Sequence, residues 1–441
     1  MNARIAIFLM GCLGLLGCEE ASPPTSSAPG TPIEPAGGAV VQVAPPTGNP
    51  ATDRTSIEAA VAAAEPGDVI QFAAGTYVIG TGVPFGFETI EVPVPRTTLL
   101  GHPGGTTLKG CDDPTQFGEC EGLALTGGKQ TVRGLTFESF ANRGLSLNVD
   151  LLSDRGGYRI EDCRFRSSIL GLSLIGDAIE PSRILENTFI DVGVGFSVLG
   201  RTAFFEENAL IASDPDQVPV FGQPLNVGGA FAIFGGGSCH GNVFRVNTVQ
   251  GFADGWAITT AFAAPGQVCE GNVVENEHFT DQTLFDPSID AGTMVFLEGE
   301  ARENRILSNV LDGSNGIGIV GLGASRNEIS KNRIQDVTAT PGTFLPSGIG
   351  ILLDEASSAN HLLSNHFDNN EVYDILLLGD DNLVVAHSPD DRIADLGDGN
   401  RIVGRGAGRA MAPAATLEPT SAALAAKLSL IRQAILPVED R

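Results

Sequence analysis

The feature that most constrains this chain is a short motif that recurs along it. The motif is Asn-x-apolar-x-x-Asn-x-apolar, and clear copies begin at Asn304, Asn327 and Asn360. Looser copies lie at residues 183–189 and 242–249. Repetition with a period of roughly 20 to 40 residues is typical of a solenoid, in which each coil stacks on the one before it. The sequence therefore predicts a stack of coils.

Each clear copy of the motif is followed by an apolar segment that favours a β-strand. Examples are GIGIV from Gly316, GIGILL from Gly348 and DILLL from Asp374. Ile, Val and Leu at alternate positions fit a strand that buries one face. We expect the recurrent Asn side chains to form an internal ladder, each amide bonded to the coils above and below, and to tolerate the left-handed backbone of sharp turns.

The start of the array resembles a known superfamily. Thr55 and Glu58 have the spacing of a capping box, and the Ala-rich helix that they predict stops at Pro66. With the strand from Asp68, this segment is similar to the opening of right-handed parallel β-helix proteins of the pectate-lyase-like superfamily, in which a helix covers the first coil. The resemblance implies an all-β fold, a right-handed parallel β-helix of about a dozen coils over residues 53–406.

Both ends of the chain are expected to lie outside the coils. Residues 1–17 resemble a lipoprotein signal peptide, and Cys18 would become the lipidated first residue of the mature protein. Residues 18–52 are rich in Pro, Gly and Ser, which predicts a flexible tether. Residues 407–441 predict a linker and a C-terminal helix whose apolar stripe would cover the last coil.

These ends predict an exported protein, either an outer-membrane lipoprotein or a cell-surface protein of a Gram-negative bacterium. The resemblance to Gram-negative lipoproteins implies that Glu19 favours the outer membrane. The alternative is an ordinary secretory signal, which would also export the chain. Membrane contact is expected only through the N-terminal lipid, and a monomer is expected.

The charge balance bears on the choice of partner. The chain has 53 acidic and 26 basic residues and a formal charge of −27. Nucleic acid is not expected as a partner, because binding phosphates requires basic stripes. An acidic glycan would also be repelled unless a cation such as Ca²⁺ bridged the two, since carboxylates are natural Ca²⁺ ligands.

The cysteines suggest two disulfides in an exported protein. Cys111 and Cys120 flank a polar loop and form the best local pair. Cys239 and Cys269 occupy equivalent places in Cys-His-Gly-Asn-Val and Cys-Glu-Gly-Asn-Val, and equivalent places in successive coils lie about 4.8 Å apart. The alternative for this second pair is a stack of reduced thiols. Cys163 has no obvious partner.

Three coils carry insertions that suggest where a site would lie. They fall at roughly 213–229, 281–292 and 337–347, each after the Asn motif and before the next apolar run. Insertions in a solenoid lie on one face, which is often the binding face. We therefore expect them to form the wall of any binding site.

Three carboxylates are candidate calcium ligands. Glu298 and Glu300 alternate in Phe-Leu-Glu-Gly-Glu, so they share a face if Leu297 points into the core. Asp354 follows GIGILL two coils later, near an equivalent position. The sequence thus suggests a calcium site formed by Glu298, Glu300 and Asp354. The alternative is a solvated acidic face.

Basic residues close to this acidic pair suggest catalysis. The order of charges resembles that in calcium-dependent alginate lyases of the chondroitinase-B type, and the resemblance implies proton abstraction next to a carboxylate that the cation neutralises. Arg302, Arg326 and Lys331 are the candidate catalytic residues. The surrounding residues depart from that family's motifs. The chain also lacks the Asp-Pro-His of mannuronan epimerases and the motifs of polygalacturonases.

The sequence leaves two principal functional hypotheses. The first is an exported protein that acts on or binds a polysaccharide, such as a calcium-dependent uronate lyase or epimerase. The second is a non-catalytic surface lipoprotein that is structural or binds a glycan or another protein. Metal delivery is a distant third hypothesis, because the chain has no cluster of His, Met and Cys that would bind copper.

Overall fold

A computed structural model describes residues 38–80, 89–110, 121–140, 143–148, 155–168, 170–213, 219–220, 223–224, 229–233, 239–252, 254–260, 267–282, 292–343 and 345–404. Within these ranges the chain winds through three parallel sheets, which we number in the order in which a coil visits them. The structure confirms the predicted right-handed parallel β-helix. An antiparallel pair, Pro219–Val220 with Gln223–Pro224, lies outside the three sheets.

Sheet 1 is built mainly from strands of three residues whose middle side chain points inward. Adjacent strands pair in parallel and in register, as Arg305–Leu307 does with Glu328–Ser330. Its strands are Val40–Gln42, Val69–Gln71, Thr98–Leu100, Thr131–Arg133, Arg159–Glu161, the last part of Leu170–Leu185, the last part of Val194–Glu206, Val243–Arg245, Val273–Glu275, Arg305–Leu307, Glu328–Ser330, His361–Leu363, Leu383–Val385 and Arg401–Val403.

Sheet 2 has 11 strands within the described ranges, in agreement with the predicted dozen or so coils. Its inward side chains include three stacked rings, with centroids 5.0 Å apart between Phe137 and Phe165 and 4.7 Å apart between Phe165 and Phe189. Its strands are Gly75–Val78, Thr106–Lys109, Thr136–Glu138, Arg164–Arg166, Thr188–Ile190, Ala209–Ile211, Thr248–Gln250, His278–Gln282, Val310–Ser314, Arg333–Val337 and His366–Asp368.

Sheet 3 completes each coil. Three short strands, Cys239–His240, Cys269–Glu270 and Ala301–Arg302, stack at the corner where the chain leaves sheet 3 for sheet 1. The strands of sheet 3 are Ile90–Val92, Leu123–Leu125, Arg143–Leu147, the first part of Leu170–Leu185, the first part of Val194–Glu206, Gly229–Ile233, Asp254–Thr259, Thr293–Glu298, Ile317–Leu322, Ile349–Leu353, Tyr373–Leu377 and Ile393–Asp395.

The recurrent asparagines form two ladders, one at each edge of sheet 1. In a typical rung the side-chain amide donates to a carbonyl of the preceding coil and to the side-chain oxygen of the next rung, as Asn304 does to Cys269 O at 3.0 Å and to Asn327 Oδ1 at 3.1 Å. Ladder A, between sheets 3 and 1, consists of Asn242, Asn272, Asn304, Asn327, Asn360, Asn382 and Asn400. Ladder B, between sheets 1 and 2, consists of Asn187, Asn208, Asn247, Glu277, Asn309, Asn332 and Asn365.

The left-handed backbone of these corners falls on the residue before each ladder position. Ser308 has φ 56° and Lys331 has φ 57°, and they precede Asn309 and Asn332. The expectation that the asparagines themselves adopt this conformation was wrong. The preceding residue makes the turn, so that the asparagine side chain points inward to its hydrogen bonds.

A column of glycines lies near the start of the sheet 3 strands, where sheet 3 approaches the side chains of sheet 2. A Cβ atom on Gly350 would lie 2.6 Å from the carbonyl oxygen of Asp374 and 2.9 Å from the ring of Phe367. The same crowding occurs at Gly318, against Gly350 and Ile334. The second glycine of each GIGI segment is therefore required by the close packing of the two sheets.

The N-terminal helix is present, but it begins earlier than predicted. It spans Pro50–Ala63, and Asn49 caps it by accepting a hydrogen bond from the Thr52 N–H at 3.1 Å. The predicted capping box was wrong, because Thr55 and Glu58 lie inside the helix, where Glu58 pairs with Arg54. Asn49 and Pro50 supply the usual cap and first-turn residues instead.

The tether predicted for residues 18–52 was wrong for the part that the structure describes, from residue 38 onward. Val40–Gln42 pairs with Val69–Gln71 as the first strand of sheet 1. The following loop is held by Asp53, which is 1% exposed and accepts hydrogen bonds from the N–H groups of Thr47, Gly48 and Val78. The signal peptide at residues 1–17 and the C-terminal helix expected within residues 407–441 lie outside the described residues.

Candidate functional site

The connection between strands varies in length at the corner between sheets 2 and 3, whereas it is short and constant between sheets 1 and 2 in the later coils. Between sheets 1 and 2 the corners of the later coils are two residues long, as at Ser308–Asn309 and Ser364–Asn365. The predicted insertions all lie between a sheet 2 strand and the next sheet 3 strand. The structure describes nearly all of the insertion at 337–347, whereas those at 213–229 and 281–292 lie largely outside the described residues. All three insertions thus connect sheet 2 to sheet 3, and the position of the one at 337–347 can be followed in the structure.

The outer face of sheet 3 has a central row of side chains that changes character along the solenoid. In the N-terminal half the row is small and mostly hydroxylated. Ser146 pairs in register with Ala124 on one side and Ser173 on the other, and Ser173 pairs with Ser197. In the C-terminal half the row is large and apolar, and it consists of Phe296, Val320, Leu352, Leu376 and Ala394.

The insertion at 337–347 covers part of the apolar half. Its backbone is tied down by hydroxyl groups: the Thr340 N–H donates to Ser347 Oγ at 2.9 Å, and Thr340 Oγ1 donates to Asn315 O at 2.7 Å. Leu345 is 1% exposed and packs in one cluster with Val320 and Leu352, outside the main core. This loop therefore forms a wall and partial cover on the outer face of sheet 3.

The structure places Glu298 on this face and separates it from Asp354. Leu297 points into the core, as predicted, so Glu298 points outward beside the row described above. Leu322 occupies the rung between Glu298 and Asp354, which puts their Cα atoms about 9.6 Å apart, two rungs of about 4.8 Å each. A full rung of the sheet, occupied by Leu322, thus separates the two carboxylates.

The positions of Glu300 and Asp354 also differ from those expected for ligands of one calcium ion. The strand ends at Glu298, Gly299 turns with φ 69°, and Glu300 lies beyond that turn with its N–H donating to Thr260 Oγ1 at 2.8 Å. Asp354 is 8% exposed, and its Oδ1 accepts hydrogen bonds from the Gly323 N–H, the Ala356 N–H and Ser357 Oγ. Asp354 thus organises its own turn.

The metal prediction does not fit the part of the chain that the structure describes. Within those ranges, no three His, Cys, Asp or Glu side chains are grouped so that they could hold one ion. Glu298, Glu300 and Asp354 are not brought together as a calcium site. We therefore derive no chemical step through a metal ion.

The predicted basic residues lie at two different corners. Arg302 Nε contacts Glu270 Oε2 at 2.9 Å, and Arg326 Nε contacts Glu303 Oε1 at 3.0 Å, both at the corner between sheets 3 and 1. Lys331 lies at the far end of the strand Glu328–Ser330, about 15 Å from Arg326 at roughly 3.3 Å per residue. Arg326 and Lys331 are exposed left-handed turn residues that precede ladder asparagines. The three do not converge on one reacting group.

The structure pairs Cys239 with Cys269 in a disulfide, with Cα atoms 4.5 Å apart. The two residues are direct partners in adjacent parallel strands. Cys163 is a free, buried thiol, and burial raises its pKa to about 12, which leaves it unreactive. Cys111 and Cys120 lie outside the described residues, so that pairing stays a prediction.

Ladder B contains a buried carboxyl group that was not predicted from the sequence. Glu277 occupies a rung where the neighbouring coils have asparagine, and it is 1% exposed. Its Oε1 accepts a hydrogen bond from Asn247 Nδ2 at 2.8 Å, and its Oε2 accepts one from the indole N–H of Trp256 at 2.9 Å. Burial raises the pKa of Glu277 to about 8. Aligning Asn276-Glu277-His278 with Ser308-Asn309-Val310 would have revealed it.

Trp256, the only tryptophan of the chain, lies in the aromatic part of the core. Its ring centroid is 5.2 Å from that of Phe196 and 5.1 Å from that of Phe244. Glu277 and Trp256 point into the interior, away from the outer face of sheet 3. They are therefore a structural feature and not part of the candidate site.

Helices long and apolar enough to cross a membrane are absent from the described residues.

No family model matches the sequence, and no curated protein matches it. The structure is similar to the A-module of the mannuronan C-5 epimerase AlgE4 of Azotobacter vinelandii, with 16% identity over 81% of this chain and 94% of that one and a TM-score of 0.54. It is likewise similar to the A-module of AlgE6 of the same organism, with 15% identity over 80% of this chain and 95% of that one and a TM-score of 0.56. At these identities the similarity establishes the parallel β-helix fold.

Proposed function

We propose that this protein binds a polysaccharide along the outer face of sheet 3. The observation that carries the proposal is the distribution of chain length: the insertions all fall between a sheet 2 strand and the next sheet 3 strand, and the one at 337–347 packs on the outer face of sheet 3, while the corners between sheets 1 and 2 of the later coils stay short. A face bordered by loops on a rigid scaffold is where solenoids bind ligands. The fold shared with two epimerases of a polysaccharide supports the same class of ligand.

The floor of this face suits a long, repetitive ligand. The row of Ser146, Ser173 and Ser197 repeats once per coil, at a spacing of about 4.8 Å that is comparable to one sugar residue along a chain. Hydroxyl groups both donate and accept hydrogen bonds, so the half-buried Ser197 can pair with a sugar hydroxyl. Ser146 and Ser173 are each 3% exposed, so they shape the floor and do not supply its hydrogen bonds. The row runs parallel to the solenoid axis, which favours a polymer that lies along that axis.

Binding is better supported than catalysis. Arg302, Arg326 and Lys331 lie at two corners, and Arg302 and Arg326 are paired with glutamates of neighbouring coils. The finer hypothesis of a calcium-dependent uronate lyase or epimerase needs a ligand set and a base that the described residues do not assemble. A non-catalytic glycan-binding protein remains the alternative within the same proposal, and the experiment below separates the two.

The test is to measure binding of alginate, polygalacturonate and neutral dextran by calorimetry, and then to compare two variants. Glu298→Gln changes the outer face of sheet 3, and Glu275→Gln makes the same change on the outer face of sheet 1; both side chains are half-buried. We expect Glu298→Gln to change the affinity for the bound polysaccharide at least threefold and Glu275→Gln to leave it unchanged. Equal effects of the two variants, or no binding by any polysaccharide, would contradict the proposal.

The same samples distinguish binding from catalysis. Ultraviolet absorbance of an unsaturated product would reveal a lyase, and proton NMR of the recovered polymer would reveal epimerisation. Unchanged polymer would leave a binding protein. If activity is found, it is measured again with added calcium and with a chelator. Loss of activity in the chelator would show that the reaction depends on calcium, which residues beyond those described would then bind.

We further propose that the chain is exported as a lipoprotein through Cys18 and stays monomeric. The support is the apolar segment before Cys18 in the sequence. Metabolic labelling with a fatty acid tests lipidation, with Cys18→Ser as the control that should abolish it. Label retained in Cys18→Ser would contradict the proposed site, and fractionation of the labelled cells would locate the membrane.

A further inference from the structure

The first coils carry a cavity of about 490 Å³ that lies outside the proposed polysaccharide-binding face. It lies at the corner between sheets 3 and 1, and Arg96, Lys129, Arg155 and Glu180 are among its lining residues. Its volume falls in the range of about 300–1,000 Å³ that is common for sites of small organic ligands. The cavity is therefore large enough for more than a single ion.

Arg96 and Lys129 occupy equivalent places in successive coils. Thr98 pairs with Thr131, so the residues two positions earlier, Arg96 and Lys129, are in register and about 4.8 Å apart. The Arg96 N–H donates to Gly128 O, and both residues have a left-handed backbone, with φ 61° for Arg96 and 55° for Lys129. The two residues thus place like charges on neighbouring coils, and the pairing of Lys129 with Glu180 offsets part of that charge.

The next coil adds a third cation, Arg155, and the coil after it adds a single carboxylate, Glu180. In the coil of Arg155 the residue equivalent to Lys129 is Gly157, since Thr131 pairs with Arg159. A Cβ atom on Gly157 would lie 3.0 Å from Glu180 Oε2 and 3.3 Å from Lys129 Cγ, so the missing side chain lets these two residues meet. Lys129 Nζ contacts Glu180 Oε1 at 2.5 Å, and Arg155 donates to Thr126 O.

The local charge is positive although the chain as a whole is strongly acidic. Among the lining residues, three cations face one carboxylate, which leaves a surplus of two positive charges. Exposed charges farther away than about 8 Å are largely screened at physiological ionic strength. The charge of −27 on the whole chain therefore does not cancel the attraction of this cavity for a small anion.

Glu180 indicates what kind of anion fits. A carboxylate in the wall disfavours a bare inorganic anion, but it accepts hydrogen bonds from hydroxyl groups. Arg96 and Lys129 would bind an acidic group with charge-assisted hydrogen bonds. The cavity thus offers cations at one place and a hydroxyl acceptor at another.

We propose that this cavity binds a monosaccharide that carries one acidic group, either a carboxylate or a phosphate. The acidic group lies between Arg96 and Lys129, and a sugar hydroxyl donates to Glu180. The proposal is independent of the polysaccharide-binding face, because no residue is shared between the two.

The experiment is calorimetry on the full chain with four probes: glucuronate, glucose 6-phosphate, glucose and inorganic phosphate. We expect at least one of the two acidic sugars to bind ten times more tightly than both glucose and inorganic phosphate, and the better one identifies the acidic group. If inorganic phosphate binds as tightly as glucose 6-phosphate and glucuronate does not bind, the cavity is only an anion site and the proposal is wrong. If no probe binds, it is also wrong.

Two variants and a matched control locate the binding. Arg96→Gln and Lys129→Gln should each lower the affinity for the acidic sugar at least tenfold. Arg401→Gln, a change of charge at an equally exposed residue at the other end of sheet 1, should leave that affinity unchanged. Glu180→Gln should lower the affinity for the acidic sugar and leave the affinity for inorganic phosphate unchanged or higher. Equal weakening by Arg401→Gln would overturn the assignment, and so would an intact response in Arg96→Gln. All four side chains are exposed, so unfolding is checked by circular dichroism.

Discussion

The two asparagine ladders flank the same sheet, and they differ at one rung. Ladder A runs from Asn242 to Asn400 with asparagine at every described rung, whereas ladder B contains Glu277 between Asn247 and Asn309. The carboxyl group of Glu277 still accepts a hydrogen bond from Asn247. Its second oxygen accepts one from Trp256, whereas an asparagine at this rung would donate to the next rung. The comparison teaches that a ladder needs an acceptor at every rung, while the donor can be replaced if the core supplies another partner.

Breaking ladder A should have the largest effect. Asn304→Ala removes four hydrogen bonds, two donated to Cys269 O and Asn327 Oδ1 and two accepted from Asn272. At about 1 kcal/mol each, and more where a buried partner is left unsatisfied, we expect a loss of about 4 kcal/mol or more in the free energy of unfolding. Chemical denaturation measures it. Asn369→Ala, at an exposed asparagine, is the control, and an equal loss there would contradict the ladder's role.

Glu277 predicts a pH dependence that ladder A does not have. Its pKa is raised from 4.5 to about 8 in the folded state, chiefly by burial. Between these values the folded protein keeps a proton that the unfolded chain has released, so stability is greatest below pH 4.5 and falls as pH rises toward 8, by up to about 1.4 kcal/mol per pH unit. We therefore expect the stability of wild type minus that of Glu277→Gln to fall over this window and level off above it.

The check for Glu277 uses the single tryptophan. Fluorescence of Trp256 should change with a midpoint near pH 8 in the wild type and stay constant in Glu277→Gln, because the indole N–H is bonded to the titrating group. A stability difference that is independent of pH would show that the carboxyl group is charged, or neutral, throughout. Other carboxylates titrate alike in both proteins and cancel.

The disulfide joins the two coils between which ladder B changes from asparagine to glutamate. Cys239 and Cys269 are separated by 30 residues, and closing a loop of that length is worth about 3–4 kcal/mol by chain entropy. Cys239→Ala/Cys269→Ala should lower the free energy of unfolding by up to that amount. Labelling of the unreduced, unfolded wild type tests the bond itself: reaction of both cysteines with a thiol reagent would exclude it.

The smallest effect is expected at the turn before a ladder asparagine. Arg326 has φ 54°, which glycine adopts without strain, and its exposed ion pair with Glu303 is worth less than about 1 kcal/mol. Arg326→Gly should therefore leave stability within about 1 kcal/mol of wild type. Arg333→Gly, an exposed strand position in the same coil, should lower it by about 1 kcal/mol. The reverse order would mean that Arg326 has a role beyond the turn.

The sequence predicted the fold well because its main determinants are local. The asparagine period and the glycine near the start of most sheet 3 strands both reflect contacts that repeat from coil to coil. The start of the helix was missed because Asn49-Pro50 is itself a good cap but lies in a Pro-rich segment that resembles a linker. Glu277 was missed because it replaces an asparagine inside an otherwise regular pattern.

The candidate site was harder to predict because neighbours in sequence are not neighbours in a solenoid. Arg326 and Lys331 are five positions apart, yet a strand separates them and places them at different corners. Glu298 and Glu300 alternate in sequence, but Gly299 ends the strand between them. The cavity beside Arg96 and Lys129 depends on register across coils, which the spacing of charged residues alone does not reveal.

The direction of the side-chain hydrogen bonds has an electrical consequence. From Asn242 to Asn382 in ladder A, one hydrogen of each side-chain amide is donated to the next rung toward the C-terminal end, so these amide dipoles are parallel and add along the axis. The backbone dipoles of a sheet largely cancel, which makes this column the more strongly polarised element. In ladder B the column is broken at Glu277, where the backbone N–H and not a side-chain amide donates to Asn309 Oδ1. One edge of sheet 1 is thus a continuous line of dipoles, positive toward its C-terminal end, and the other is two shorter lines separated by an acid.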